Sequence, residues 1–219
     1  MKKVAIFGAT GRTGVHLVNQ VAAQDMIPVC LVRKESTEIL LHEKAIRVVG
    51  SPLVYENVLE VLEGCDAVLC ALNIARKTDW PWAKLISPAN LLEVSMNNIV
   101  KAMVEAGVKR VITVSAWGAG DSYSEVNGMF RFLINKTNVG TAYRGHEEQE
   151  AILRESNLNW TAVRPVGLNN NNKHQPTRIS QNGSRKLRMM ISRKDVAKFM
   201  LDILVDDKYY KTAPSISND

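Results

Sequence analysis

The sequence has little of what membrane-spanning, metal-binding and secreted proteins need. Within its 219 residues no apolar run reaches the ~18 residues of a membrane span, and three cysteines, Cys30, Cys65 and Cys70, lack metal-ligand spacing. The first apolar run, residues 4–7, is too short for a signal peptide and indicates a β-strand. Cys30 and Cys70 lie in apolar runs, as buried thiols of a reducing compartment do. We therefore expect a cytoplasmic protein without a metal site or membrane contact.

The sequence also has only a small excess of positive over negative charge. The chain has 28 Lys and Arg against 22 Asp and Glu, a formal net charge of +6. This balance suits an anionic ligand but does not by itself imply nucleic acid. The densest basic cluster contains Arg185, Lys186, Arg188, Arg193 and Lys194. Such a cluster is typical of a solvated turn and helix start, so we expect no nucleic-acid partner.

Short runs rich in Val and Ile alternate with longer amphipathic stretches along the chain. Six short runs predict strands, at residues 4–7, 28–32, 46–49, 67–71, 110–114 and 160–163. Because they lack polar alternation, we expect both faces of their sheet to be covered. The helical stretches between them predict βαβ units and a parallel sheet. The sequence thus predicts an α/β fold, one doubly wound Rossmann domain over residues 1–219 with a small irregular C-terminal region.

The C-terminal third contains a strong turn signal. Asn182-Gly183 lies between residues 177–180 and 185–189, and an Asn-Gly pair between short runs predicts a β-hairpin. Residues 212–219 predict an edge strand. We find no linker rich enough in Gly, Pro or Ser to separate two domains.

A glycine-rich motif follows the first predicted strand directly and opens a helix. It reads Gly8-Ala9-Thr10-Gly11-Arg12-Thr13-Gly14, with the spacing G-x-x-G-x-x-G. Glycines allow a tight turn and close approach of the backbone to a pyrophosphate, and the helix N-terminus presents N–H groups to the anion. Since the motif lies in a strand–turn–helix context, it predicts a dinucleotide site rather than a simple connecting turn.

The end of the second strand indicates which dinucleotide is bound. Proteins that bind NAD usually have Asp or Glu there, to hold the ribose 2′-hydroxyl. This chain has Arg33 and Lys34, and the first carboxylate is Glu35. A guanidinium and an ammonium attract a 2′-phosphate, and Arg12 of the glycine loop can approach it from the other side. We therefore favour NADP(H), the alternative being that Arg33 and Lys34 are solvated charges.

Seven stretches occur in an order that is typical of one family. They read VAIFGATGRTG, CLVRKES, IRVVGS, GCDAVLCAL, NNIVKAMVEAGVKRVITVSAW, EAILRESNLNWTAVRP and ISRKDVAKFML, and they extend to about residue 201. In these stretches the chain resembles the atypical short-chain dehydrogenases/reductases. The resemblance is to the biliverdin-IXβ reductase and flavin reductase branch and to the neighbouring NmrA-like NAD(P)-binding proteins.

The resemblance implies further cofactor contacts. Ser51, where relatives usually have Asp, is expected near the adenine, and Leu72 and Asn73 along the nicotinamide ribose. Ser115 is expected beside the nicotinamide, and Pro165 at the end of the sixth strand. The full expected set for NADP(H) is Gly8, Thr10, Gly11, Arg12, Thr13, Gly14, Arg33, Lys34, Ser51, Leu72, Asn73, Ser115 and Pro165.

The chain departs from the family in its catalytic residues. Classical members use a Tyr-x-x-x-Lys pair, but here Tyr143 is followed four residues later by Glu147. Carbonyl, alcohol and sugar-nucleotide epimerase chemistry by that pair is therefore not expected. The remaining candidates are Ser115, for orientation, and His146, for a substrate or proton role. The alternatives are that Ser115 caps the strand-end loop and that His146 is a surface residue.

Aromatic residues suggest where a flat substrate would stack. Trp80, Trp117 and Phe130 lie in regions predicted as loops after strands four and five, and a conjugated ring can stack on such side chains. Substrate-side elements are expected mainly within residues 116–145 and 166–191. Some of these rings are equally compatible with core or dimer contacts.

These observations lead to two functional hypotheses. The first is an NADPH-dependent reductase that passes hydride to a planar conjugated small molecule, such as a flavin, a quinone or a linear tetrapyrrole. Such acceptors take hydride without an obligatory protein acid, which agrees with the missing Tyr-Lys pair. The second is an NmrA-like sensor that holds NADP(H) without turnover. In either case we expect a monomer or a homodimer.

Overall fold

The structure, a computed structural model, describes residues 1–33 and 41–219. The strands are β1 (Lys3–Phe7), β2 (Ile27–Val32), β3 (Ile46–Val49), β4 (Ala67–Cys70), β5 (Arg110–Val114), β6 (Asn159–Pro165), β7 (Gly167–Asn169), β8 (Thr177–Ser180), β9 (Met190–Ser192) and β10 (Ser215–Asn218). The helices are α1 (Gly14–Ala23), α2 (Tyr55–Leu62), α3 (Leu91–Glu105), α4 (Gly128–Lys136), α5 (Val139–Glu155) and α6 (Arg193–Val205). A 3₁₀ helix spans Gly120–Glu125.

Eight of these strands form one sheet in the order β3-β2-β1-β4-β5-β6-β10-β8. All neighbours are parallel except β8, which is antiparallel to β10, and β7 pairs with β9 in a separate small sheet. The chain builds β2 and β3 on one side of β1 and β4 to β6 on the other, which is the doubly wound Rossmann arrangement. The predicted α/β fold and all six predicted strands are confirmed.

Side chains of each central strand alternate between two apolar clusters, one on each face of the sheet. In β1, Val4 and Ile6 belong to the cluster that α1 and α6 cover, whereas Ala5 and Phe7 belong to the cluster under α2, α3 and α5. All four side chains are buried. Fully burying a large apolar side chain contributes about 1.5–3 kcal/mol, so both faces stabilise the sheet. This two-sided burial explains why the strands lack polar alternation in the sequence.

The C-terminal region departs from the sequence prediction in its strand pairing. Asn182 and Gly183 adopt positive φ values of 51° and 71° and form the predicted turn. The predicted hairpin is nevertheless wrong, because β8 pairs with β10 and residues 185–189 are not a strand. The prediction of an edge strand within residues 212–219 is also corrected, since β10 lies between β6 and β8.

Hydrogen bonds between distant segments explain the interior position of β10. Its sequence is polar, SISN, yet all four residues are buried. Ser217 Oγ accepts a hydrogen bond from the backbone N–H of Arg188, and Asn218 Oδ1 accepts one from the backbone N–H of Ser192. The side chains of Ser217 and Asn218 therefore have hydrogen-bond partners, which offsets the cost of burying them.

Cys30 and Cys70 are buried, as expected from their apolar surroundings, and Cys65 is buried as well; all three thiols are free. Burial raises the pKa of Cys30 to about 12 and that of Cys65 to about 11. Both thiols are therefore protonated at neutral pH and pack as small apolar side chains. Separately, no described helix is long and apolar enough to cross a membrane.

Candidate functional site

A cleft with a volume of about 510 Å³ opens at the carboxyl ends of β1, β2 and β4. Its wall is formed by the glycine loop, by residues 50–53 after β3, by residues 71–76 after β4, and by single residues from more distant elements. The order of strands reverses between β1 and β4, and ligands of open α/β sheets bind at such a point. The cleft therefore lies where the fold places a nucleotide.

The glycine loop forms the floor of this cleft through close backbone packing. Gly8 has a φ of +80°, and a Cβ there would lie 2.8 Å from the backbone of Ala71. A Cβ on Gly14 would lie 1.9 Å from the carbonyl oxygen of Gly8, whereas a Cβ on Gly11 would meet only that same oxygen, at 3.1 Å. Gly8 and Gly14 are thus needed for packing. Gly11 faces the cavity and leaves the room that a pyrophosphate requires.

Two other parts of the cleft wall, after β2 and after β3, contain residues that we predicted to contact the adenosine half of the cofactor. Arg33, directly after β2, lines the cleft, and Lys34 lies outside the described residues. Ser51 also lines the cleft; its backbone N–H donates to Asn57 Oδ1 at 3.0 Å, and its hydroxyl accepts from the N–H of Leu53 at 3.3 Å. The loop after β3 is therefore held by its own hydrogen bonds in a fixed position beside Arg33.

Arg12 turns towards the opposite side of the glycine loop from Arg33. Its two terminal nitrogens donate to the two carboxylate oxygens of Asp79, each at 3.1 Å. These hydrogen bonds lower the pKa of Asp79, which remains ionised at neutral pH. Since Arg33 follows β2 and Asp79 follows β4, the two lie on opposite sides of β1. The predicted approach of Arg12 to the same phosphate as Arg33 is thus not the arrangement in this structure.

The described wall of the cleft is strongly positive. It contains four guanidinium groups, those of Arg12, Arg33, Arg76 and Arg193, and one carboxylate, that of Asp79. Arg193 is 8% exposed, and its Nη1 donates to Asn170 Oδ1 at 2.6 Å. An anionic ligand with several charges, such as a dinucleotide, matches this wall.

The structure brings together nine of the predicted cofactor residues and leaves three others away from the cavity. Those that line the cleft are Gly8, Thr10, Gly11, Arg12, Thr13, Arg33, Ser51, Leu72 and Asn73. Gly14, Ser115 and Pro165 are buried and do not line it. The carbonyl of Pro165 accepts from the N–H of Trp117 at 3.0 Å, so this residue fixes the loop after β5.

Ser115 belongs to a buried network of charged side chains. It is 2% exposed, and its hydroxyl donates to Glu150 Oε1 at 2.6 Å. Glu150, itself fully buried, also accepts from Arg164 Nε and Nη2, at 2.9 and 2.6 Å, and from Arg154 Nη2 at 2.8 Å. Arg164 further donates to Asp121 in the 3₁₀ helix. The network therefore ties β5, β6, α5 and the 3₁₀ helix together.

His146 lies within α5 and not on the surface. It is 3% exposed, and its Nδ1 lies 2.9 Å from Gln149 Nε2, which also donates to the carbonyl of Val114. Burial lowers the pKa of His146 to about 4, so the ring is neutral at physiological pH. The alternative expectation of a surface residue is wrong. The geometry gives no support to a proton role, because His146 does not line the cleft.

The predicted aromatic residues form two separate groups, and none of them lines the cavity. Trp117 stacks on Phe130, with ring centroids 6.2 Å apart, and Phe130 meets the edge of Tyr143. Phe130 lies on α4 and not in a loop as expected, because Asn127 caps a helix there by accepting from the N–H of Phe130. Trp80 is 64% exposed and packs against Trp82.

Sequence reasoning missed three charged residues of the cleft. Arg193 is part of the cluster expected to be solvated, and Arg76 and Asp79 follow β4 without a recognised pattern. Packing of α6 beside α1 brings Arg193 to the glycine loop. Its only sequence signal is its place directly after Ser192, the residue that caps α6 by accepting from the N–H of Asp195. A contact between segments this far apart along the chain cannot be predicted from a pattern in the sequence around either residue.

The Rossmann sheet, the glycine loop and the basic cleft define a dinucleotide-binding protein. Comparison with known proteins narrows this class. Residues 8–207 match the model of a family described as NAD(P)H-binding, and the chain belongs to this family. The resemblance to atypical short-chain dehydrogenases/reductases and NmrA-like proteins is confirmed.

Individual relatives share the fold over nearly the whole chain. The "uncharacterized sugar epimerase" YhfK of Bacillus subtilis is 28% identical over an alignment of 213 residues that covers 94% of this chain and 89% of that protein. A short-chain dehydrogenase/reductase of Veillonella parvula, crystallised in complex with NADP, superposes with a TM-score of 0.80 at 22% identity and covers 99% and 94% of the two chains. ChuY of Escherichia coli O157:H7, named an anaerobillin reductase, has a TM-score of 0.79 at 18% identity and covers 99% and 97%.

Proposed function

We propose that the chain is an NADPH-dependent reductase that passes hydride to a planar conjugated acceptor, namely a flavin, a quinone or a linear tetrapyrrole. The observation that carries this proposal is the basic cleft at the switch point of the sheet, with Arg33 at the end of β2 where an NAD-binding protein has a carboxylate. The ChuY neighbour, whose name describes a tetrapyrrole-type reductase, supports the acceptor class.

The cofactor side of the mechanism rests on binding and orientation. Gly11 and the N-terminus of α1 would hold the pyrophosphate, Arg33 would pair with the 2′-phosphate, and Ser51 would contact the adenine, since all three residues line the cleft. Leu72 and Asn73, at the end of β4, would orient the nicotinamide ribose. When bound, the reduced cofactor supplies the hydride. The protein then contributes position and exclusion of water, which lower the barrier without covalent chemistry.

The acceptor side of the site follows from residues of α5 and β7. Ala142 and Leu168 line the cleft and give it an apolar wall. The cluster of Trp117, Phe130 and Tyr143 stiffens the segment that borders this wall, because its rings pack on each other. The Ser115 hydroxyl is committed to Glu150, so we assign Ser115 a positioning role in the loop after β5. Solvent supplies the proton that the reduced acceptor takes up.

One observation favours the sensor hypothesis as an alternative. Among the described residues that line the cleft there is no His, Lys, Tyr or Cys, and both predicted catalytic residues, Ser115 and His146, are buried away from it. A protein that holds NADP(H) for its effect on a partner needs no such group.

An acceptor panel separates the two functions. Purified protein is mixed with NADPH under anaerobic conditions, and cofactor oxidation is followed with FMN, menadione, dichloroindophenol or biliverdin as acceptor. We expect turnover with at least one of them. Tight NADPH binding without oxidation of NADPH by any acceptor would favour the sensor and contradict the reductase.

A charge reversal tests the cofactor assignment independently of turnover. Arg33→Asp removes a charge-assisted hydrogen bond that contributes about 1.5–3 kcal/mol, so NADPH affinity should fall roughly tenfold to a hundredfold while NADH affinity stays unchanged. Binding is measured by nucleotide fluorescence. Arg188→Asp, an exposed arginine away from the cleft, is the matched control. Equal affinity of the unsubstituted protein for NADH and NADPH would refute the preference for NADP(H).

A further inference from the structure

A short hairpin crosses the cleft between β4 and α3. Residues 75–86, here called the strap, are closed by an antiparallel bridge between Arg76 and Leu85 and by two backbone hydrogen bonds, from the N–H of Lys77 to the carbonyl of Lys84 and from the N–H of Ile86 to the carbonyl of Ala75. The strap contributes several residues to the cleft wall, so its position determines how open the site is.

The strap is attached at two points. On its outer side, Asn138 holds it through a hydrogen bond from its backbone N–H to the carbonyl of Pro81 and from Nδ2 to the carbonyl of Trp82. On the cleft side, Asp79 makes the bidentate pair with Arg12 of the glycine loop. The side chains of Arg12 and Asp79 are 58% and 81% exposed, so the second attachment is an ion pair in contact with solvent.

We infer that Asp79 competes with the pyrophosphate of the dinucleotide for Arg12, so that the cofactor must break the Arg12–Asp79 ion pair in order to bind. This inference rests on the proposed NAD(P)H site and adds a residue that regulates it. The two terminal nitrogens of a guanidinium form a planar end-on fork, and carboxylate and phosphate oxygens match that fork in the same bidentate way. Asp79 occupies this end-on fork of Arg12, so a phosphate can bind there in the same bidentate way only when Asp79 leaves it.

The position of Arg12 selects the pyrophosphate over the 2′-phosphate. Arg12 lies within the glycine loop directly before α1, where the helix N-terminus receives the pyrophosphate. Its side chain turns towards the strap after β4, away from Arg33 after β2. The competition therefore concerns the part of the cofactor that NADPH and NADH share.

The charges that face Asp79 all favour its ionised form. Arg12 lowers its pKa most, through the hydrogen bond and the charge; burial raises the pKa by a smaller amount, and Arg193 and Arg76 lower it further. Asp79 thus remains a carboxylate throughout the neutral range. Substitution of this one residue removes the competitor with little effect on packing, since the side chain is exposed.

The test is the dissociation constant of the full chain for NADPH and for NADH, measured by fluorescence titration. Exposed ion pairs contribute about 0.2–1 kcal/mol, so Asp79→Asn should bind both cofactors up to about fivefold more tightly, and by the same factor. Asp202→Asn is the matched control, because Asp202 makes a comparable exposed pair with Lys198 on α6 and does not line the cleft. Its affinities should equal those of the unsubstituted protein.

A double-variant cycle separates competition at Arg12 from a general change in the field of the cleft. In an Arg12→Gln background, Asp79→Asn should give no further gain, since the contested group is absent. A full gain in that background, a gain for NADPH alone, or unchanged or weaker binding by Asp79→Asn would each overturn the inference. Failure of the unsubstituted protein to bind either nucleotide would instead contradict the proposed function itself.

Discussion

Glu150 is the side chain whose substitution should affect the stability of the protein most sharply. It is fully buried within α5 and accepts hydrogen bonds from Ser115, Arg154 and twice from Arg164. Arg164 is 2% exposed and has one further carboxylate partner, Asp121. Glu150→Gln keeps the shape of the side chain, removes the negative charge and places an NH₂ group against donors. Arg164 is then left as a buried cation without its main partner.

The expected loss is about 3–5 kcal/mol, the cost of breaking a buried ion pair by removing one partner. This is a large fraction of the roughly 5–15 kcal/mol by which folded domains are stable. The geometry supports the upper part of the range, because three separate residues donate to the same carboxylate. Removing both charges together should cost less, since apolar side chains of similar volume can fill such a site.

Equilibrium unfolding in urea, followed by circular dichroism, measures this loss. Glu155→Gln, an exposed position at the end of the same helix, is the control and should change stability by no more than about 0.5 kcal/mol. Glu150→Met combined with Arg164→Met should be more stable than Glu150→Gln alone. A loss below about 1 kcal/mol for Glu150→Gln would show that the network does not hold these elements together and would refute the reasoning.

Three other substitutions test the cleft and its surroundings. Gly11→Val should fold and abolish nucleotide binding in fluorescence titrations, because the side chain enters the cavity at the proposed pyrophosphate site; near-normal NADPH affinity would contradict this site. Ser115→Ala should lower turnover by no more than roughly 10²-fold, whereas complete loss of activity with intact NADPH binding would mean that the hydroxyl reacts. His146 has a folded pKa of about 4, below its unfolded value of 6.5, so it destabilises the fold as the pH falls from 6.5 towards 4. His146→Leu should therefore reduce the loss of stability between pH 7 and pH 5 by about 2 kcal/mol in urea unfolding, and an unchanged loss would contradict the burial argument.

The sequence by itself determined the parts of this protein that depend on neighbours along the chain. The six parallel strands β1 to β6 follow from short Val- and Ile-rich runs. In the five inner strands, burial on both faces leaves no polar alternation, whereas β3 at the sheet edge is mostly exposed. The glycine loop follows from the spacing of Gly8, Gly11 and Gly14 directly after β1, although the close packing of Gly8 is against the backbone of Ala71 after β4. The turn at Asn182-Gly183 is local in the same sense.

The tertiary structure alone decided which distant residues meet. β8 pairs with β10 and does not form a local hairpin. This pairing depends on hydrogen bonds between β10 and segments more than twenty residues before it, which the sequence of neither strand predicts. The burial of His146 depends on how α5 packs against its neighbours, although its sequence position suggested a surface residue. Arg12 has its partner in Asp79, which is 67 residues away, and Arg193 reaches the cleft from the far end of the chain. A charged side chain reveals its sign in the sequence, but its partner is fixed only when the chain has folded.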